Sequence, residues 1–200
     1  MTSAHQLAST RLHESNEVRR LVAEHSVPKI IEAASLIAEA FRSDKKLLLC
    51  GNGGSAADCQ HMAAEFVSRL TKEVARRALP AIALTTDTSF LTAFANDCGY
   101  DGIFERQVEA LGQAGDVLLG ISTSGSSSNV IRALQRAKQL GVKTIALIGA
   151  GGEMAALADV TISVPSAQTQ YIQESHLSIE HIVCELVERE LFPNAIERLS

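Results

Sequence analysis

Residues 46–65 read Lys46-Leu47-Leu48-Leu49-Cys50-Gly51-Asn52-Gly53-Gly54-Ser55-Ala56-Ala57-Asp58-Cys59-Gln60-His61-Met62-Ala63-Ala64-Glu65. The run Leu47 to Cys50 is short, apolar and unbroken by charge, the pattern of a strand buried on both faces. Gly51, Gly53 and Gly54 allow positive φ and close approach of the backbone to a ligand. Ser55 stands where an N-cap belongs, ahead of Ala-rich sequence that favours a helix. Strand, glycine turn and helix start together predict an anion site, because free N–H groups and the helix dipole face the same way. The spacing fits neither the dinucleotide fingerprint nor a P-loop, which needs a following Gly-Lys-Ser/Thr. A plain glycine turn is the bland alternative.

On the predicted helix His61 and Glu65 are four apart and so share a face. Such a pair serves as two metal ligands, as an acid/base couple, or as an ordinary surface pair. Their neighbourhood must decide.

Outward from this stretch the chain alternates. Strand-like runs fall at 46–50, 81–84, 116–121, 143–148 and 159–164, with helical stretches at 55–70, 88–96, 102–111, 129–140, 153–157 and 170–191. This alternation predicts an α/β three-layer sandwich on a parallel sheet, with ligands bound off the carboxyl ends of the strands. Upstream, residues 4–25 form a polar helix with a sparse apolar face including Leu7, Leu12 and Val22. Pro28 interrupts, and 29–42 carries Ile30, Ala34, Ile37 and Phe41 at helical spacing. These two helices lie outside the repeating core (44–192), and the sparse face of the first suits either a contact with another subunit or a plain surface helix. One domain of 200 residues is expected.

The other strand ends add candidates. After the third strand comes Ser122-Thr123-Ser124-Gly125-Ser126-Ser127-Ser128-Asn129, with six hydroxyls ahead of another helix. That is a neutral cradle for a phosphate or sugar phosphate rather than a linker. Asn96-Asp97 closes the helix after the second strand. Gly149-Ala150-Gly151-Gly152, after the fourth, reads as a turn. The last helix carries Gln173, His176 and His181. Gln173 and His181 are about 12 Å apart in rise, so they share a site only by leaning inward, or else serve sites on different chains. His176 reads as structural.

A net charge of −5 with no basic patch argues against a nucleic-acid partner. No apolar run spans a bilayer, and the start of the chain lacks a signal-peptide core. Cys50, Cys59, Cys98 and Cys184 form no CxxC pair, which suits free thiols and a cytoplasmic setting.

Taken jointly, Leu49-Cys50-Gly51-Asn52-Gly53-Gly54-Ser55, Asp58, His61 to Glu65, Asn96-Asp97, Gly120-Ile121-Ser122-Thr123-Ser124-Gly125 and Ile172-Gln173-Glu174 to His181 resemble the sugar isomerase (SIS) fold. More narrowly, they resemble the phosphoheptose isomerases, which interconvert sedoheptulose 7-phosphate and glycero-manno-heptose 7-phosphate. The resemblance implies a five-stranded flavodoxin-like sheet. It implies substrate binding by Asn52, Gly53, Gly54, Ser55, Asn96, Asp97, Ser122, Thr123, Ser124, Ser127, Gln173 and Glu65, with the Ser-rich loop on the phosphate. It implies one zinc per subunit on His61, Glu65, Gln173 and His181, with Glu65 and His181 as acid/base residues. It further implies a homotetramer with sites between subunits, and a product that feeds nucleotide-heptose and lipopolysaccharide synthesis. Several relatives carry a charged residue just before the Ile-Gln-Glu motif, where Thr169-Gln170-Tyr171 stand here. A non-enzymatic branch of the family, the alternative, binds a bacterial replication initiator. Glu65, which that branch lacks, favours the enzyme.

Overall fold

A computed structural model describes residues 3–72 and 74–193. Helix α1 (Ala4–His25) opens with a reciprocal capping box, in which Gln6 N–H donates to Ser3 Oγ at 3.1 Å and Ser3 N–H to Gln6 Oε1 at 2.9 Å. Pro28 falls in the first turn of α2 (Val27–Arg42), where its missing N–H costs nothing. The chain thus breaks at Ser26, whose hydroxyl donates to the Ser163 carbonyl at 2.7 Å.

The core then runs β1 (Leu47–Gly51), α3 (Gly54–Val67), β2 (Ala81–Ala83), α4 (Thr88–Cys98), a 3₁₀ turn at Tyr100–Gly102, and α5 (Ile103–Leu111). It continues with β3 (Val117–Ser122), α6 (Ser128–Gln139), β4 (Lys143–Ile148), α7 (Met154–Leu157), β5 (Val160–Ser163) and α8 (Thr169–Leu191). All strand pairs are parallel, in the order β2-β1-β3-β4-β5. This is the expected flavodoxin-like sheet, and its strand order reverses between β1 and β3. Leu47 and Leu49 of β1, with Val117, Leu119 and Ile121 of β3, face one core with residues of α2, α3 and α8. Leu48, Cys50 and Leu118 face a second core with residues of α5 and α6. Covered on both faces, β1 and β3 read as apolar runs because none of their positions is wetted, whereas the edge strands β2 and β5 are partly exposed.

Expected boundaries hold to within a few residues, with one informative exception. Helix α3 starts at Gly54 and stops at Val67, not 55–70. Its N-cap is Gly53, at φ 55°, and no side chain caps it; Ser55 is a buried residue of the first turn. The Ser55 hydroxyl favours a cap by propensity, but the chain leaves β1 through a left-handed residue that only glycine adopts freely.

Downstream of α3, the Arg76 side chain is fully buried and fastens α3 to α8. Its Nε donates to Glu188 Oε1 at 2.6 Å, and its guanidinium also donates to the carbonyls of Glu65 (2.7 Å) and Phe66 (2.9 Å). The end of the helix that carries Glu65 is therefore held to the helix that carries His181.

Candidate active site

Two helix N-termini without side-chain caps open at the carboxyl ends of neighbouring strands: α3 after β1, and α6 after β3. A crevice at the strand-order reversal is where α/β sheets bind ligands, and bare N-termini favour anions there. In the cradle, Ser122 Oγ lies 2.9 Å from Ser127 Oγ and 3.3 Å from Ser124 Oγ, while Ser126 N–H donates to Ser124 Oγ at 3.2 Å. The hydroxyls thus hold one another in place instead of capping α6. Beside them a cleft of about 340 Å³ is lined by Thr123, Ser124, Ala150, Gly151, Ser166, Ala167, Thr169 and Ile172, none of them charged.

The 149–152 segment does more than turn the chain. A Cβ on Gly149 would lie 2.3 Å from the Thr123 carbonyl oxygen, and one on Gly152 2.4 Å from the Gly125 carbonyl. Met154 N–H donates to the Gly125 carbonyl at 3.0 Å. Glycine backbone presses directly on the back of the Ser-rich loop and braces it.

On the other side of the crevice, Asn52 and Asn129 exchange amide hydrogen bonds at 2.8 and 2.9 Å, and the Tyr100 hydroxyl donates to Asn52 Oδ1 at 2.9 Å. Asn96 and Asp97, at the end of α4, are exposed and bonded to each other at 2.8 Å. Gly54 is where Gln173 comes in: a Cβ there would sit 2.3 Å from Gln173 Nε2. Close approach, not positive φ, is what this position requires.

Farther along α3, His61 Nε2 lies 2.8 Å from His181 Nε2, the rings edge-to-face at 77°, and 3.7 Å from Glu65 Oε1. Glu65 Oε2 is buried with no partner. Two imidazole nitrogens and a carboxylate turned to one point form a donor set that suits zinc. At 2.8 Å, however, the two nitrogens share a proton; on a tetrahedral zinc they would stand about 3.3 Å apart. Among the described residues no group of three or more His, Cys, Asp and Glu side chains is arranged to hold a metal as it stands. Gln173 departs from the expected set, since its amide lies at Gly54, seven residues and about 10 Å of rise before His61. Helices α3 and α8 run side by side, so residues eight apart on α8 meet α3 at different heights.

Beneath this cluster are buried groups without partners. Burial pushes the Glu180 carboxyl up to about 8, with Asp58 adding to the rise. Asp58 is itself raised by burial, against the pull of His61. Burial pushes His176 down to about 4; the Ile148 backbone opposes this, yet neither ring nitrogen completes a hydrogen bond. His176 is fully buried, as a core histidine would be, but without the hydrogen bonds such a residue is expected to make. Cys50, Cys59 and Cys184 are buried free thiols, and burial pushes Cys50 up to about 12.

Sequence reasoning missed Arg76, Asn129 and Tyr100. Arg76 carries no local signal, because its partner is 112 residues away. Asn129 reads as the start of a helix, and Tyr100 as a loop aromatic.

With this geometry, the comparisons with known proteins agree. The SIS domain family model matches residues 12–149. The phosphoheptose isomerase of Sulfurimonas denitrificans is 50% identical over 189 residues, which cover 93% of this chain and 96% of that one. The chain belongs to the phosphoheptose isomerase family. The solved phosphoheptose isomerase of Neisseria gonorrhoeae has a TM-score of 0.88 at 43% identity, covering 93% of this chain and 99% of that one. That of Francisella tularensis has 0.90 at 34%, covering 94% and 100%. These phosphoheptose isomerases lend no support to the initiator-binding alternative.

Proposed function

We infer that this chain isomerises sedoheptulose 7-phosphate to D-glycero-D-manno-heptose 7-phosphate. The observation that carries the reading is Glu65: a carboxylate with one buried, unpartnered oxygen, beside two imidazoles, near the far end of the helix whose N-terminus opens on the crevice of the Ser-rich loop.

The substrate's phosphate sits on the N-termini of α3 and α6 and the hydroxyls of Ser122, Ser124 and Ser127. Asn52, Asn96, Asp97 and Gln173 hold the sugar. Ketose–aldose exchange moves a proton between adjacent carbons through an enediolate. Glu65 takes the proton from C1 and returns it to C2. His181 gives a proton to the C2 oxygen and takes one back from the C1 hydroxyl as the aldehyde forms, so it ends as it began. Zinc, one per subunit on His61, Glu65 and His181, would polarise the substrate carbonyl. A carboxylate tied to a metal is a weak base, so the division of labour within Glu65 matters: Oε1 faces His61, and Oε2 is the oxygen left for the proton.

We assign a homotetramer on two grounds. Leu7 and Leu12 of α1 are exposed, and α4, whose Leu91 and Phe94 pack only half-buried against the core, leaves the rest of its surface uncovered. The cytoplasm is the setting that suits four free thiols, and the product is a precursor for nucleotide-heptose and lipopolysaccharide synthesis. No described helix is long and apolar enough to cross a membrane. The test is turnover of sedoheptulose 7-phosphate by purified protein, with and without added zinc, beside a Glu65→Gln control. Conversion by the wild type alone supports the assignment, and no conversion by folded protein under either metal condition removes it.

A further inference from the structure

Asn52 offers the substrate very little of its side chain. Its Oδ1 accepts from Asn129 Nδ2 at 2.9 Å and from the Tyr100 hydroxyl at 2.9 Å, which uses both lone pairs. One of its two amide hydrogens goes to Asn129 Oδ1 at 2.8 Å. A single N–H remains, and its direction is set by the three bonds the amide already makes.

Asn129 is a good anchor for this purpose. It is 2% exposed, in the first turn of α6, and so fixed to the scaffold that also carries the Ser-rich cradle. Tyr100 differs, being 56% exposed in the 3₁₀ turn just after Asn96-Asp97. It is nevertheless held from a second side. Its neighbour Asp101 accepts from Ser128 Oγ at 2.5 Å, and Arg132 Nε of α6 donates to Glu105 of α5 at 2.7 Å. The 100–105 segment is thereby tied to α6 independently of Asn52. Three pieces of the crevice (the glycine loop, the Asn96-Asp97 segment and the start of α6) meet at one amide.

We propose that Asn129 and Tyr100 are positioning residues for the isomerisation, acting through Asn52: they aim its one free N–H at the sugar and hold the Asn96-Asp97 segment at the matching distance. The proposal rests on the isomerase reading, and neither residue touches the reacting carbons in it.

The test is a double-mutant cycle read in KM and kcat, with thermal unfolding alongside. Tyr100→Phe removes one exposed hydroxyl and leaves the ring. KM should rise about three- to tenfold, the worth of one neutral hydrogen bond, with kcat and Tm essentially unchanged. Asn129→Asp keeps the shape but sets a carboxylate oxygen against Asn52 Oδ1, and should raise KM at least as much. In an Asn52→Ala background, adding Tyr100→Phe should do nothing more, since a residue acting through Asn52 cannot act without it. A merely structural hydroxyl would move Tm and leave KM alone. Either an unchanged KM in Tyr100→Phe or an undiminished effect in the Asn52→Ala background overturns the proposal. Calorimetric titration of sedoheptulose 7-phosphate into the same variants, each carrying Glu65→Gln to stop turnover, separates the two readings. If the wild type turns over nothing, the isomerase reading falls, and the Kd cycle decides the positioning role by the same pattern.

Discussion

Replacing Gly54 by alanine tests the site with almost no cost to the fold. Gly54 is the first residue of α3 and has no positive φ, so alanine adopts its backbone without strain. By narrowing the unfolded ensemble it should add about 0.4–1 kcal/mol, or about 1–4 °C in Tm for a chain this long. The new Cβ, however, would stand 2.3 Å from Gln173 Nε2 and 3.0 Å from its Cδ. Ordinary contact needs about 3.5 Å, so the amide must retreat by about 1.2 Å. It can do so by rotation, because the clash is with the far end of a flexible side chain. A displacement near 1 Å at a positioning group costs up to about a hundredfold in rate, and kcat/KM for sedoheptulose 7-phosphate should fall by about ten- to a hundredfold. Wild-type kcat/KM at a raised Tm would refute the idea that Gln173 must sit against the glycine loop. A Tm lowered by several degrees would refute the idea that its amide can yield.

Further outcomes follow from the same geometry. Glu65→Gln keeps the shape of the side chain but cannot take a proton, so kcat should drop about 10²- to 10⁴-fold with Tm little changed; a smaller loss would move the base elsewhere. His61→Ala should lower the zinc bound per subunit, measured by atomic emission, and unchanged metal content would remove His61 from the ligand set. Arg76→Met strands the Glu188 carboxylate in the interior, where its side chain is 2% exposed; that should cost about 3–5 kcal/mol, and adding Glu188→Leu should recover most of it in a urea titration. His176, held at about 4 against 6.5 when unfolded, gives a signed pH effect. As pH falls from 6.5 towards 4 the unfolded chain takes up a proton that the folded one refuses, so stability is lost on the acid side. Glu180, raised to about 8, acts oppositely: its folded form keeps a proton that the unfolded chain releases above about 4.5, so its contribution fades as pH rises. His176→Leu should therefore gain in Tm relative to the wild type as the pH drops, and parallel Tm–pH curves would contradict this.

The sheet and the cradle were legible because both leave local marks: charge-free apolar runs for strands buried on two faces, and glycines or hydroxyls at their ends. What escaped depended on partners distant in sequence. The cap of α3 went to Gly53 because backbone geometry outweighed the propensity of Ser55. A glycine run such as 149–152 looks the same whether it faces water or another loop, and only packing on Thr123 and Gly125 gives it a role. Gln173 and His181 lie on one helix, as their sequence context indicates, but the heights at which they meet α3 depend on how α3 and α8 run together.

The glycine contact behind the cradle carries a consequence for how this site can vary. Two side chains in contact can trade volume, one shrinking as the other grows, and so drift together through different pairs. Gly125 and Gly152 meet main chain to main chain, with 2.2 Å between a Cβ built on Gly125 and the Gly151 oxygen. Neither partner has anything left to give up, so enlargement on one side has no compensating change on the other. In a randomised library spanning both loops, survivors should show tolerance among the hydroxyl positions and none at these glycines, and no second-site revertant should map across the contact.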